Sequence, residues 1–168
     1  MKNIFLIGMM GSGKSTIGAL LAEQLGYYFI DTDALIEKQE AQSVAEIFRD
    51  KGEAYFRMLE KALVSDLPRE NAVIACGGGL PCYGDLLGSI KNMGLVVYLS
   101  ADAETLYGRI SKDTNRPLLQ KFEDFKALLD KREPIYQGAE VVINAACALE
   151  EVLVNVFLET NRKIKEER

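Results

Sequence analysis

There is no histidine among the 168 residues. Acid–base chemistry on an imidazole and histidine-ligated metals are therefore excluded outright. Cysteine is scarce, with thiols only at Cys76, Cys82 and Cys147. An odd number without zinc-site spacing argues for reduced thiols in a cytoplasmic protein rather than for disulfides. No run of about 18 apolar residues occurs, so no membrane span is expected. Nor is there an excess of basic side chains. The formal net charge is −5, which argues against a nucleic-acid-binding face. It does not exclude a phosphorylated ligand, for which a few placed cations and backbone N–H groups suffice. Residues 1–8 have the superficial look of a signal peptide. Their apolar stretch is short and runs straight into a glycine loop, so a first strand is expected instead.

What is present fits one globular domain spanning 1–168. No internal repeat, low-complexity linker or second domain is visible. Short apolar runs predict strands over Asn3–Ile7, 28–30, Ala72–Ala75, 95–99 and 141–143. Helical spacing predicts helices over Lys14–Leu25, 34–40, 44–50, 53–67, Ala103–Ile110, 125–136 and 149–159. The alternation points to an α/β fold, a parallel sheet covered by helices on both faces. The polar stretch 111–124, carrying Arg116 and Pro117, interrupts the pattern and reads as a loop on composition. Residues 161–168 read as a solvated helix end or a frayed tail.

The strongest local signal is Gly8-Met9-Met10-Gly11-Ser12-Gly13-Lys14-Ser15, which matches G-x-x-x-x-G-K-[ST]. Gly11 and Gly13 let the backbone wrap so that successive N–H groups, including that of Ser12, face phosphate oxygens. Lys14 can reach the outer phosphates, and the hydroxyl of Ser15 can hold Mg²⁺. The helix that follows, beginning with Lys14, Ser15 and Thr16, adds its positive end. The loop follows an apolar strand and opens a helix, which is the context the motif requires.

A guanine-reading N-K-x-D motif is missing, since Thr114-Asn115-Arg116-Pro117 lacks both the lysine and the aspartate. The chain is also short for a motor or a multidomain ATPase. A small-molecule kinase remains. Asp31-Thr32-Asp33 ends the second predicted strand, at the ligand edge of a parallel sheet. One carboxylate can attend a metal and the other a hydroxyl, while a helix N-cap is the plain alternative. Glycines 77–79 directly after a strand allow close approach of a ligand, or form a simple turn. Arg57 and Arg132 sit on predicted helices, where single arginines are usually solvated.

Together these pieces resemble the shikimate kinase family over nearly the whole chain. The carrying segments are 8–18, Phe-Ile-Asp-Thr-Asp (29–33), Ile-Phe-Arg-Asp-Lys-Gly-Glu-Ala-Tyr-Phe-Arg (47–57), Gly-Gly-Gly (77–79), Val-Val-Tyr-Leu (96–99), Asn-Arg-Pro-Leu-Leu (115–119) and Lys-Arg-Glu-Pro-Ile-Tyr (131–136). The resemblance implies a three-layer P-loop kinase fold with five parallel strands, a shikimate-binding helical region over about 33–60, and a lid over about 111–124. It implies transfer of the ATP γ-phosphoryl to the 3-hydroxyl of shikimate. It assigns catalysis to Lys14, Asp33 and Arg116, and ATP binding to Gly11, Ser12, Gly13, Lys14, Ser15, Thr16, Arg109 and Arg116. It assigns shikimate binding to Asp33, Arg57, Gly78, Gly79 and Arg132, and Mg²⁺ binding to Ser15 and Asp31. The partners expected are the two substrates, with no nucleic acid or membrane, and the protein is expected to be a monomer. One departure stands out. After the fifth strand, Ile143-Asn144-Ala145-Ala146-Cys147 has no basic side chain where the family often has one. Backbone groups or Asn144 are the expected substitutes.

Overall fold

The computed structural model describes residues 2–111 and 121–166. Five strands, β1 (Asn3–Ile7), β2 (Tyr28–Asp31), β3 (Ala72–Ala75), β4 (Gly94–Ser100) and β5 (Val141–Asn144), form one sheet in the order β2-β3-β1-β4-β5. Every pairing is parallel. The helices are α1 (Lys14–Leu25), α2 (Thr32–Glu40), α3 (Val44–Lys51), α4 (Glu53–Asp66), α5 (Leu86–Met93), α6 (Ala103–Ile110), α7 (Phe122–Tyr136) and α8 (Leu149–Glu166).

Alternation along the central strand explains the three layers. Ile4 and Leu6 face one way, into a core with Ile17 and Leu21 of α1 and Val152 and Val156 of α8. Phe5 and Ile7 face the other way, packing with Val64 of α4, Ile90 of α5, Leu106 of α6 and Phe125 of α7. A strand covered on both faces must be apolar throughout, which is why the strand sequences read as unbroken hydrophobic runs. A third, smaller core of Ile36, Ile47, Phe56 and Leu63 holds α2, α3 and α4 together.

The strand order decides where a ligand can sit. β1 lies between β3 and β4, with Ile4 opposite both Val73 and Leu95. The chain thus builds first on one side of β1 and then on the other. The carboxyl end of β1 is therefore the switch point at which open α/β sheets leave a crevice. Because the strands are parallel, the phosphate loop after β1, Asp31 at the end of β2 and the glycines after β3 all emerge at that edge.

Several expectations are corrected. Residues 80–94 carried no prediction, yet a 3₁₀ turn (Leu80–Cys82) and α5 occupy them. Leu86, Leu87, Ile90 and Met93 have helical spacing, but Gly84 and Gly88 obscure it. α2 begins at Thr32, ahead of the expected start. α7 begins three residues before the expected start, so the loop predicted over 111–124 gives way to helix at Phe122. The Phe122 ring stands edge-on to Tyr107 at 5.4 Å, while Glu123 and Asp124 place acidic groups in the first turn, where the helix dipole favours them. Residues 112–120 of the expected lid, Arg116 among them, lie outside the described residues. α8 continues past its expected end at 159 to Glu166. Arg162 pairs with Glu159 one turn back and Glu166 one turn on, the spacing that supports an exposed helix. No helix among the described residues is long and apolar enough to cross a membrane.

Candidate active site

The phosphate loop has the backbone the motif requires. Gly11 lies at φ +85°, and a Cβ there would come within 2.7 Å of the Leu106 carbonyl oxygen. Gly13 precedes α1 in the left-handed region at φ 88°, open to glycine without steric cost. No side chain caps the start of α1 and no acidic residue sits in its first turn. Its leading N–H groups are thus left for an anion. Lys14 folds back over the loop, with Nζ donating to the Met9 carbonyl at 3.0 Å and to Ser12 Oγ at 3.4 Å. Arg109, on the last turn of α6, donates to the Gly11 carbonyl at 3.3 Å. A cavity of about 220 Å³ lies between Gly11, Gly13, Thr16 and Arg109.

Asp31 makes a different contact with each oxygen. Oδ1 accepts from the Ala34 N–H at 3.1 Å and caps α2. Oδ2 accepts from the Ser15 hydroxyl at 2.5 Å. A hydroxyl and a carboxylate oxygen converge beside the phosphate loop, and such hard oxygen donors suit Mg²⁺. Among the described residues no cluster of three or more His, Cys, Asp or Glu could hold a metal by itself. A two-ligand site completed by substrate phosphates and water is the usual arrangement for this ion.

A second cavity, of about 350 Å³, adjoins the first at Met10, Lys14 and Ser15. It brings together Lys14, Ser15, Asp31, Asp33, Arg57, Gly78, Gly79 and Arg132, residues from five distant segments. Arg57 is the surprise, because an exposed helical arginine is the ordinary outcome and this one is only 6% exposed. Its Nη1 donates to Glu60 at 2.6 Å, while Nε and Nη2 donate to Glu53 Oε1 at 3.2 and 3.0 Å. The Phe48 and Phe56 rings flank the guanidinium at 5.8 and 5.5 Å. Burial opposes the Arg57 charge, but the two carboxylates outweigh it and hold its pKa above that of an ordinary arginine. A Cβ on Gly79 would overlap this guanidinium and push it from its place. Arg132, one turn from the end of α7, reaches Met9 Sδ at 3.7 Å and lies against Gly78.

Sequence reasoning missed Glu60, Glu53, Thr32 and Tyr136. Glu60 is fully buried. Burial pushes its carboxyl up to about 7, against the pull of Arg57. Its signal was available: Glu53, Arg57 and Glu60 are four and three apart, on one helical face. Thr32 is also fully buried, and its Oγ1 accepts from the Gly77 N–H at 2.8 Å, tying the end of β2 to the glycine run. The Tyr136 hydroxyl donates to the Gly78 carbonyl at 2.6 Å. These two bonds had no local signature, since their partners are 45 and 58 residues away.

A cavity of about 250 Å³ beyond the phosphate loop is lined by Arg109, Ala145, Cys147 and Leu149, among others, but not by Asn144. Asn144 turns into its own loop, accepting from the Ala146 N–H at 2.9 Å.

A parallel sheet with a phosphate loop at its switch point, beside a cavity lined by charged side chains and backbone glycines, defines a P-loop kinase. A family model for shikimate kinase matches residues 10–162. The shikimate kinase of Persephonella marina is 43% identical over 160 residues, which is 94% of this chain and 98% of that one. A solved shikimate kinase from Acinetobacter baumannii in complex with shikimate superposes with TM-score 0.84 at 36% identity, covering 95% of this chain and 94% of the other. The Aquifex aeolicus shikimate kinase structure superposes with TM-score 0.83 at 38% identity, covering 95% and 98%. The chain belongs to the shikimate kinase family.

Proposed function

We propose that this chain transfers the γ-phosphoryl of ATP to the 3-hydroxyl of shikimate, giving shikimate 3-phosphate and ADP on the route to chorismate and aromatic amino acids. The observation that carries this reading is the single cavity in which Lys14, Ser15 and Asp31 of the phosphate side meet Asp33, Arg57 and Arg132.

Phosphoryl transfer asks for positioning and charge neutralisation more than for covalent help. In this reading Gly11, Ser12, Gly13 and Thr16 cradle the nucleotide phosphates with the start of α1, and Lys14 carries its charge to the migrating group. Ser15 and Asp31 would hold Mg²⁺, which when bound supplies further neutralisation across the phosphates. Arg57 and Arg132 present planar donor forks to the shikimate carboxylate. Asp33 holds the acceptor hydroxyl, and Gly78 and Gly79 bring backbone donors to the ring. Arg109 serves the nucleotide base. Arg116 takes its phosphate role from its motif alone. The chain then works as one domain, with 33–60 as the acceptor region and 111–124 as a lid. In this reading the protein acts as a monomer. The absence of a spanning helix among the described residues fits a cytoplasmic enzyme.

ADP release, followed with shikimate, quinate, gluconate and nucleoside monophosphates as acceptors, tests the assignment. Shikimate is expected to exceed the others by orders of magnitude. Equal turnover with a substrate lacking a carboxylate would overturn it, because the two arginines would then have no purpose.

A further inference from the structure

The glycine run 77–79 presents a difficulty that the active-site assignment leaves open. Glycine residues let a peptide plane rotate freely, yet backbone N–H groups can bind a ligand only if their direction is held. The hydrogen bonds around the run show how this is met. The Gly77 N–H donates to Thr32 Oγ1 at 2.8 Å. The Gly77 carbonyl accepts from the Leu80 N–H, and the Gly79 carbonyl from the Cys82 N–H, each at 3.0 Å. Among the described residues the Gly78 carbonyl has no backbone donor, and it accepts from the Tyr136 hydroxyl at 2.6 Å. The Cys82 thiol lies 3.9 Å from the same oxygen, and a thiol is a weak donor. Among the described residues, no protein group accepts from the N–H of Gly78 or Gly79.

A peptide unit is planar and trans, so its C=O and N–H point in opposite directions. Holding the Gly78 oxygen therefore fixes the direction of the Gly79 N–H. We infer that Tyr136 is a positioning residue for shikimate: its hydroxyl locks the Gly78–Gly79 peptide so that the Gly79 N–H stays aimed as a substrate donor. This rests on the proposed function. Tyr136 is suited to the task. It is fully buried, its ring lies against Tyr98 at 5.1 Å, and it ends the helix that carries Arg132 one turn earlier. The same helix face thus sets both a carboxylate-holding arginine and the glycine donor, which keeps their spacing constant.

Tyr136→Phe removes the hydroxyl and keeps the ring. Its KM for shikimate should rise about tenfold, the loss of one well-aimed hydrogen bond, while its KM for ATP stays within about twofold. Tyr98→Phe, which deletes a buried hydroxyl that does not touch Gly78, should leave both constants alone. In protein labelled with ¹⁵N-glycine, the wild type should give one sharp Gly79 amide signal that Tyr136→Phe broadens or splits. An unchanged Gly79 signal and unchanged shikimate KM in Tyr136→Phe would overturn the inference. So would a split Gly79 signal in the wild type, which can be read even if the variant does not fold. Absence of shikimate-dependent ADP release by the wild type would instead overturn the functional assignment, and the Gly79 signal judges the peptide lock regardless.

Discussion

The phosphate side and the acceptor side of the cavity are built by opposite means. The phosphate side is built mainly from one segment, glycines at positive φ running into the first turn of α1. Lys14 and Ser15 add their side chains at the start of α1. The acceptor side is assembled from β2, α4, the loop after β3 and α7, and its key charge is buried with carboxylate partners. A backbone site tolerates change around it, because any chain that keeps the turn keeps the donors. A side-chain site depends on several elements packing correctly at once, and a buried ion pair penalises loss of either partner.

The largest expected effect breaks the comparison on the phosphate side. Lys14→Met should lower kcat by two or more orders of magnitude, about 3–4 kcal/mol of transition-state stabilisation, with the fold intact by circular dichroism. Near-normal turnover would mean that the backbone alone suffices there.

The next effect sharpens the acceptor side through pH. The Glu60 carboxyl stands at about 7 in the folded protein against 4.5 as its ordinary value. The folded state therefore holds this proton more tightly than the unfolded chain. The stability it contributes is complete below about pH 4.5 and is lost as pH rises through about 7, on the order of 3 kcal/mol. Denaturant unfolding between pH 4.5 and 7.5 should show this decline in the wild type and a flatter profile in Glu60→Gln. Equal slopes would mean that Arg57 keeps Glu60 ionised throughout.

Arg57→Lys and Arg132→Lys keep the charge and lose the planar fork. Each should weaken shikimate binding roughly ten- to a hundred-fold, about 1.5–3 kcal/mol, with ATP affinity in the absence of shikimate barely changed. Calorimetric titration distinguishes the two ligands. Wild-type shikimate affinity in both variants would reduce these arginines to scaffolding.

The smallest effect is expected at the base side. Asn144→Ala should change ATP KM by less than about threefold, since Asn144 bonds within its own loop and does not line the cavity. A larger rise would restore Asn144 as a base contact.

The sequence by itself determined the phosphate loop, the β/α alternation and hence the layered parallel fold, because each is encoded in neighbouring residues whose spacing follows a strand or helix period. It also singled out Asp33 and the glycine run by their place at strand ends, and Arg57 and Arg132 through motifs alone, since an arginine on a helix carries no mark of its own burial. Tertiary structure alone decided that Arg57 is enclosed and held by Glu53 and Glu60, that Thr32 and Tyr136 anchor the glycines, and that Asn144 bonds within its own loop. The reason is physical. A parallel sheet brings the ends of distant strands to one edge, and the environments that matter there, low exposure for a charge and a fixed direction for a peptide, exist only when those ends meet.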